Sequence, residues 1–160
     1  NSHIAQIRTG RSEDLPRVMT LIRELAEFEK LTPMLEVTQD KLQQHVFATD
    51  AHVKMLVLEV KNEIIGYALY FKTFSSFLGA AGYYLEDIYV QPQFRGQGYG
   101  RKIIATIATE AVENGYRRVE WSVLNWNQKA IDFYKSLGAT PMNEWAVYRL
   151  TGEALIKLAR

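Results

Sequence analysis

No cysteine occurs among the 160 residues. That absence excludes a disulfide framework, a thiolate nucleophile and a cysteine-based zinc site, and it is compatible with the cytoplasm. Histidine offers little more to a metal, since His45 and His52 stand seven positions apart without companion ligands. A charge excess is also missing. Lys and Arg number 19 against 18 Asp and Glu, and no basic run exists of the kind that tracks a phosphate backbone, so nucleic acid is not expected as a partner. The longest uncharged stretch, residues 73–85, is too short and too rich in Gly and Ser to cross a bilayer, so no membrane partner is expected either. No secretory signal pattern is visible, and Asn1-Ser2-His3 has the look of a cloning remnant. What is left is a cytoplasmic protein with residues 4–160 as one domain. Its 48% hydrophobic content is enough for an ordinary packed core without a staple.

Periodicity places the elements. Residues 4–9 alternate as an opening strand, and Ser12 is positioned to cap the helix whose stripe is Leu15, Val18, Leu21, Ile22 and Leu25. Thr38 caps a second helix ending near Phe47. Residues 52–60 and 64–73 form a hairpin around Lys61-Asn62-Glu63, and residues 83–90 a further strand. A helix follows with Ile103, Ile104, Ile107, Ala108, Ala111 and Val112 on one face and Gly115 at its end. Residues 118–124 read as a strand, 127–137 as a helix closed by Gly138, 144–150 as a last strand and 151–160 as a short helix or tail. The order β-α-α-β-β-β-α-β-α-β is an α/β (α+β) fold, with a mixed central sheet of mainly antiparallel strands flanked by helices.

The chemistry concentrates in Arg95-Gly96-Gln97-Gly98-Tyr99-Gly100, between a strand and a helix. Glycines at alternate positions let the backbone turn sharply and aim N–H groups at an anion held on a helix N-terminus; a plain tight turn would use them as well. The dinucleotide fingerprint and the P-loop both fail to fit, because Gly98 is followed by Tyr99-Gly100-Arg101. Glu86 and Asp87 sit together near a strand end, where strand alternation sends only one of them to a cleft unless both are solvated. Tyr134 lies one residue round from the stripe Ala130, Phe133 and Leu137, as either a cleft-edge or a half-buried tyrosine. Glu24, Glu27 and Glu29 crowd the unfavourable end of the first helix, to be offset by Arg23 and Lys30 or by a bound cation. Trp121, Trp126 and Trp145 read as core or interface anchors.

Arg95-x-x-Gly98-x-Gly100 resembles the acetyl-CoA pyrophosphate motif of the GNAT acetyltransferase superfamily. Asn125-Trp126-Asn127 with Ala130-Ile131-Asp132-Phe133-Tyr134 and Gly138-Ala139 is similar to its second hallmark. Leu21–Glu29 and Tyr84–Val90 further resemble the spermidine/spermine (diamine) acetyltransferases and their thialysine-acetylating relatives. The resemblance implies acetyl-CoA as co-substrate, held at a splay between two central strands, with no metal. It assigns the cofactor to Ile88, Tyr89, Val90, Arg95, Gly96, Gln97, Gly98, Tyr99, Gly100, Arg101, Asn127, Lys129, Ala130 and Tyr134. It implies Tyr134 as acid to the CoA sulfur and Glu86 as base, and it places Phe28, Glu29, Glu86, Trp121 and Glu144 around a small amine, in a homodimer. Phe28 stands where the polyamine enzymes carry tyrosine, and residues 30–35 are less acidic than a dication site suggests. The implied acceptor is therefore a small primary amine, polyamine-like or lysine-like. A protein amine is the alternative acceptor, and a non-catalytic acyl-CoA sensor the alternative class.

Direct transfer is chemically reasonable. An alkylammonium with a pKa of about 10.4 must shed its proton, at a cost of roughly 4 kcal/mol near neutral pH. A phenol near pKa 10 and a thiol near 8.5 are matched closely enough for the proton to pass as the C–S bond opens.

Overall fold

The structure, a computed structural model, describes residues 4–160, so the Asn1-Ser2-His3 segment lies outside the described residues. By backbone packing the chain falls into two units, residues 1–124 and 125–160.

The first unit is built on one five-stranded sheet in the order β1-β2-β3-β4-β5, with β1 Gln6–Thr9, β2 Val53–Val60, β3 Glu63–Ser75, β4 Ala80–Val90 and β5 Val119–Trp121. Neighbours are antiparallel except β4 and β5, which run parallel through the crossover helix. The β2–β3 turn is the expected one: Lys61 and Asn62 both have positive φ, as a two-residue hairpin turn of the right twist requires.

Helix α1, Leu15–Phe28, lays its stripe on one face of the sheet. Leu15, Val18, Met19, Leu21 and Ile22 pack with Met55, Val57, Ile64, Tyr67, Leu69 and Tyr89 into the main core. Ser12 does not cap this helix, because its hydroxyl meets Gln43 instead. Asp14 takes over that end: its carboxylate accepts the Arg11 backbone N–H at 2.7 Å and both terminal nitrogens of Arg8 at 2.8 and 3.0 Å. Thr38 does cap the second helix, α2 Gln39–Leu42, its Oγ accepting the Lys41 N–H; the chain then continues through a wider turn, Gln43–Phe47.

Helix α3, Tyr99–Glu113, connects β4 to β5 and buries Ile103, Ile104, Ile107 and Ala111. Val112, expected on that face, is instead exposed. Glu110, which shares a stripe with Ile103 and Ile107, turns to the sheet in a polar contact. It accepts the Tyr70 hydroxyl at 2.5 Å and the Tyr83 hydroxyl at 3.0 Å, and it pairs with Lys54. Three partners from three strands offset the cost of burying a carboxylate there.

The second unit holds α4, Gln128–Ser136, and α5, Gly152–Leu158. The strand expected over residues 144–150 is absent: Glu144 lies in a turn, and the residues after it join no ladder. A strand exists only when a neighbour satisfies its backbone groups, and alternating side chains do not supply one. No described helix is long and apolar enough to cross a membrane.

Candidate active site

Strand β4 is irregular where the acidic pair sits. Leu69 of β3 faces Asp87 and the next residue, Tyr70, faces Leu85, so Glu86 is an extra residue, bulged out of the ladder. The bulge breaks the simple alternation that would have sent the two acids to opposite faces. Glu86 is exposed, and Asp87 is half-buried on the α1 face with Tyr67 and Tyr89. The Tyr67 hydroxyl donates to Asp87 Oδ2 at 2.9 Å. Burial raises Asp87 from 3.8 to about 6, helped by the charges of Glu86 and Glu29, while the Tyr67 hydrogen bond pulls the other way. Burial likewise raises Glu29, which ends α1. Asp87 thus feels the charges of both Glu86 and Glu29, and burial raises Asp87 and Glu29 alike.

Glu24 is already committed. It accepts the Tyr89 hydroxyl at 2.9 Å and the Gln91 side-chain amide at 3.2 and 3.3 Å. Burial and that bond push the Tyr89 phenol up to about 12, which keeps it neutral and structural.

The edge of β4 toward β5 is open beyond this point. The β4–β5 ladder runs only from Tyr83↔Val119 to Leu85↔Trp121, so residues 86–90 have no strand partner on that side among the described residues. Beyond that point the β5-side backbone of Ile88, Tyr89 and Val90 is available to an extended ligand as an added strand. Trp121, the last residue of β5, ends the ladder.

The chain then leads from β4 through a short turn, Pro92–Phe94, into the glycine loop. Gly96 and Gly98 adopt φ of 79° and 81°, which disfavours any residue with a Cβ, and added Cβ atoms would meet only open space. The glycines are therefore required by backbone shape. Gly98 is the N-cap of α3, no side-chain hydrogen bond caps it, and Tyr99, Gly100 and Arg101 form the first turn with Gln97 just ahead. By helix geometry the N–H groups of that turn lack intrahelical acceptors, which leaves them for an anion.

Arg95 faces back toward the protein. Its Nε donates to the Val90 carbonyl at 3.0 Å, and its guanidinium lies 5.3 Å from the Phe28 ring centroid and 5.6 Å from that of Tyr89. Phe28, expected beside the amine, is thus in contact with the loop.

In the second unit, Asn127 caps α4 through Oδ1, which accepts the Ala130 N–H at 3.2 Å, and Lys129 and Ala130 occupy the first turn. Tyr134 follows one turn later, its ring packed 5.6 Å from Phe133. Sequence reasoning named Asp87 only as the pair-mate of Glu86 and missed Glu110. The parity of Asp87 with Tyr89 was a readable sign of the first, and an acid on an apolar helical stripe of the second.

A model of the acetyltransferase (GNAT) family matches residues 15–139. The thialysine N-epsilon-acetyltransferase of Mus musculus is 39% identical over 165 residues, covering 96% of this chain and 96% of that protein. The L-ornithine N5-acetyltransferase of Arabidopsis thaliana is 29% identical over 196 residues, covering 94% of this chain and 86% of that protein. Among solved structures, an integron cassette protein from the mobile metagenome of V. cholerae matches with a TM-score of 0.80 at 27% identity, covering 98% of each chain.

Proposed function

The chain belongs to the acetyltransferase (GNAT) family, and from that premise we propose that it transfers acetyl from acetyl-CoA to the side-chain amine of a small lysine-like or polyamine-like molecule. The observation that carries this reading is the open edge of β4 running straight into a glycine loop with a bare helix N-terminus. That arrangement fits a ligand with an extended amide arm and a pyrophosphate. The burial-raised acids Glu29 and Asp87 on the α1 side suit a cationic acceptor. The relatives named for thialysine and ornithine support an amino acid with a side-chain amine, and the diamine resemblance keeps polyamines in the same class.

In this reading the pantetheine arm of acetyl-CoA lies along Ile88, Tyr89 and Val90, and its pyrophosphate meets the backbone of Gly96, Gln97, Gly98, Tyr99, Gly100 and Arg101. Asn127, Lys129 and Ala130 belong to the cofactor side through the second hallmark. Glu86, at the bulge, takes a proton from the ammonium through water. The amine nitrogen then attacks the thioester carbonyl carbon, the C–S bond breaks with its electron pair going to sulfur, and Tyr134 gives the thiolate a proton. The proton the nitrogen sheds as it becomes an amide passes through water to restore the Tyr134 hydroxyl. Glu29 and Asp87 hold the acceptor's positive charge, and the resemblance adds Trp121 and Glu144 to the amine side. A homodimer is part of the same proposal.

The test is CoA release against equal concentrations of thialysine, lysine, ornithine, spermidine, spermine, putrescine and a lysine peptide. Turnover concentrated on the amino acids or on the polyamines supports the reading and selects the branch. Preference for the peptide points to a protein acetyltransferase, and tight CoA binding without turnover points to a sensor. Tyr134→Phe is expected to lower turnover about a hundredfold while leaving CoA affinity nearly unchanged. If turnover persists, Tyr134 is not the acid.

A further inference from the structure

The Arg95 guanidinium sits close to two aromatic rings, 5.3 Å from Phe28 and 5.6 Å from Tyr89, while its Nε bonds the last carbonyl of β4. Both distances are within the range over which a ring quadrupole attracts a cation. The two rings are held differently. Tyr89 is buried and fixed by its hydroxyl on Glu24, whereas Phe28 is 42% exposed at the end of α1. Phe28 is therefore the adjustable half of the clamp. Arg95 opens the loop whose next residues, Gly96 and Gly98, have no side chains to hold their shape. Two glycines so close together lose much conformational freedom when a ligand orders them, and an anchored first residue reduces that loss.

We propose that Phe28 is a positioning residue for the anion-binding loop, acting through Arg95. It ties the end of α1, where Glu29 sits, to the start of the loop, so the aromatic face at position 28 sets how well the loop is formed before acetyl-CoA arrives. The inference rests on the acetyl-CoA reading above and reassigns Phe28 from the amine to the cofactor side.

The probe is CoA itself, titrated calorimetrically into the full chain. Phe28→Leu keeps an apolar side chain and removes the quadrupole; Phe28→Tyr keeps the ring. The Leu variant is expected to bind CoA about three- to fivefold more weakly. Its KM for acetyl-CoA rises in step, its kcat changes little, and the Tyr variant binds as the wild type does. In an Arg95→Met background, Phe28→Leu should cause no further loss, whereas a merely structural role would weaken both backgrounds alike. Equal CoA affinity in wild type and Leu variant, similar losses in the Leu and Tyr variants, or an undiminished effect without Arg95 would each overturn the proposal. A wild type that binds no CoA would overturn the acetyltransferase reading and this inference with it. Binding by the wild type with an indifferent Leu variant overturns this inference alone.

Discussion

Replacing Asp87 by Asn is expected to make the protein more stable at pH 8 and less active. The carboxyl rises from 3.8 to about 6 because burial and the charges of Glu86 and Glu29 disfavour its ionised form. The folded chain therefore holds a proton at Asp87 between about pH 4 and 6 that the unfolded chain has lost. Stability consequently increases as pH falls through 6 toward 4, and the full penalty of the charged group is present above 6. The difference is worth about 3 kcal/mol at most, and roughly half of that where solvent reaches the half-buried oxygens. Asparagine carries no charge at any pH, and its Oδ1 still accepts the Tyr67 hydroxyl, which donates to Asp87 in the wild type. Urea unfolding of both proteins at pH 8 and pH 4.5 measures the effect. The variant should lead by about 1.5–3 kcal/mol at pH 8, and the lead should shrink to about a third at pH 4.5, where most wild-type Asp87 is already protonated in the fold. A lead that does not vary with pH, or a wild type more stable at pH 8, refutes the reasoning. The lost negative charge should at the same time raise KM for the amine, because stability and function compete at this position.

Three other outcomes are expected. Tyr67→Phe removes the bond that holds Asp87 down, so the acidic limb of the turnover–pH profile should move upward; a limb at or below its wild-type position speaks against coupling of this acid to the reaction. Gly98→Ala meets no atoms but must adopt φ of 81°, so it should cost about 1 kcal/mol of stability and weaken CoA binding, both read by calorimetry. Arg8→Ala should cost about 3–5 kcal/mol in urea unfolding, because it leaves the buried Asp14 carboxylate with its charge unpaired. Hydrogen bonding to Arg8 holds Asp14 below its ordinary value, so in the wild type its contribution is present above about pH 4 and is lost as pH falls further. The variant should lack that acid-sensitive component.

Much of the fold was legible because it is local. The hairpin at Lys61-Asn62, the stripe of α1, the Thr38 cap and the glycine loop all depend on residues a few positions apart. The failures share a different cause. Residues 144–150 alternate like a strand, yet strand formation depends on a partner that no local pattern reveals. Ser12 is a good capping residue, yet Asp14 takes the N-cap position, with its carboxylate turned to Arg8 on β1 and to the Arg11 N–H instead of a helix N–H. Glu110 was passed over because its partners, Tyr70, Tyr83 and Lys54, lie on three separate strands.

The candidate site divides in the same way. Spacing marked the glycine loop as a tight turn able to hold an anion, while the resemblance to the acetyltransferases picked out Glu86 on its strand and the tyrosine of α4. Which carboxylate faces α1 was decided by a one-residue bulge between β3 and β4 that shifts the register at Glu86. Whether Arg95 faces outward or stacks back on Phe28 was decided by the packing of α1 against the end of β4. Short-range conformational preference is written along the chain. Register, burial and charge proximity arise only when distant segments meet, and here they set the acidity of Asp87 and the partner of Phe28.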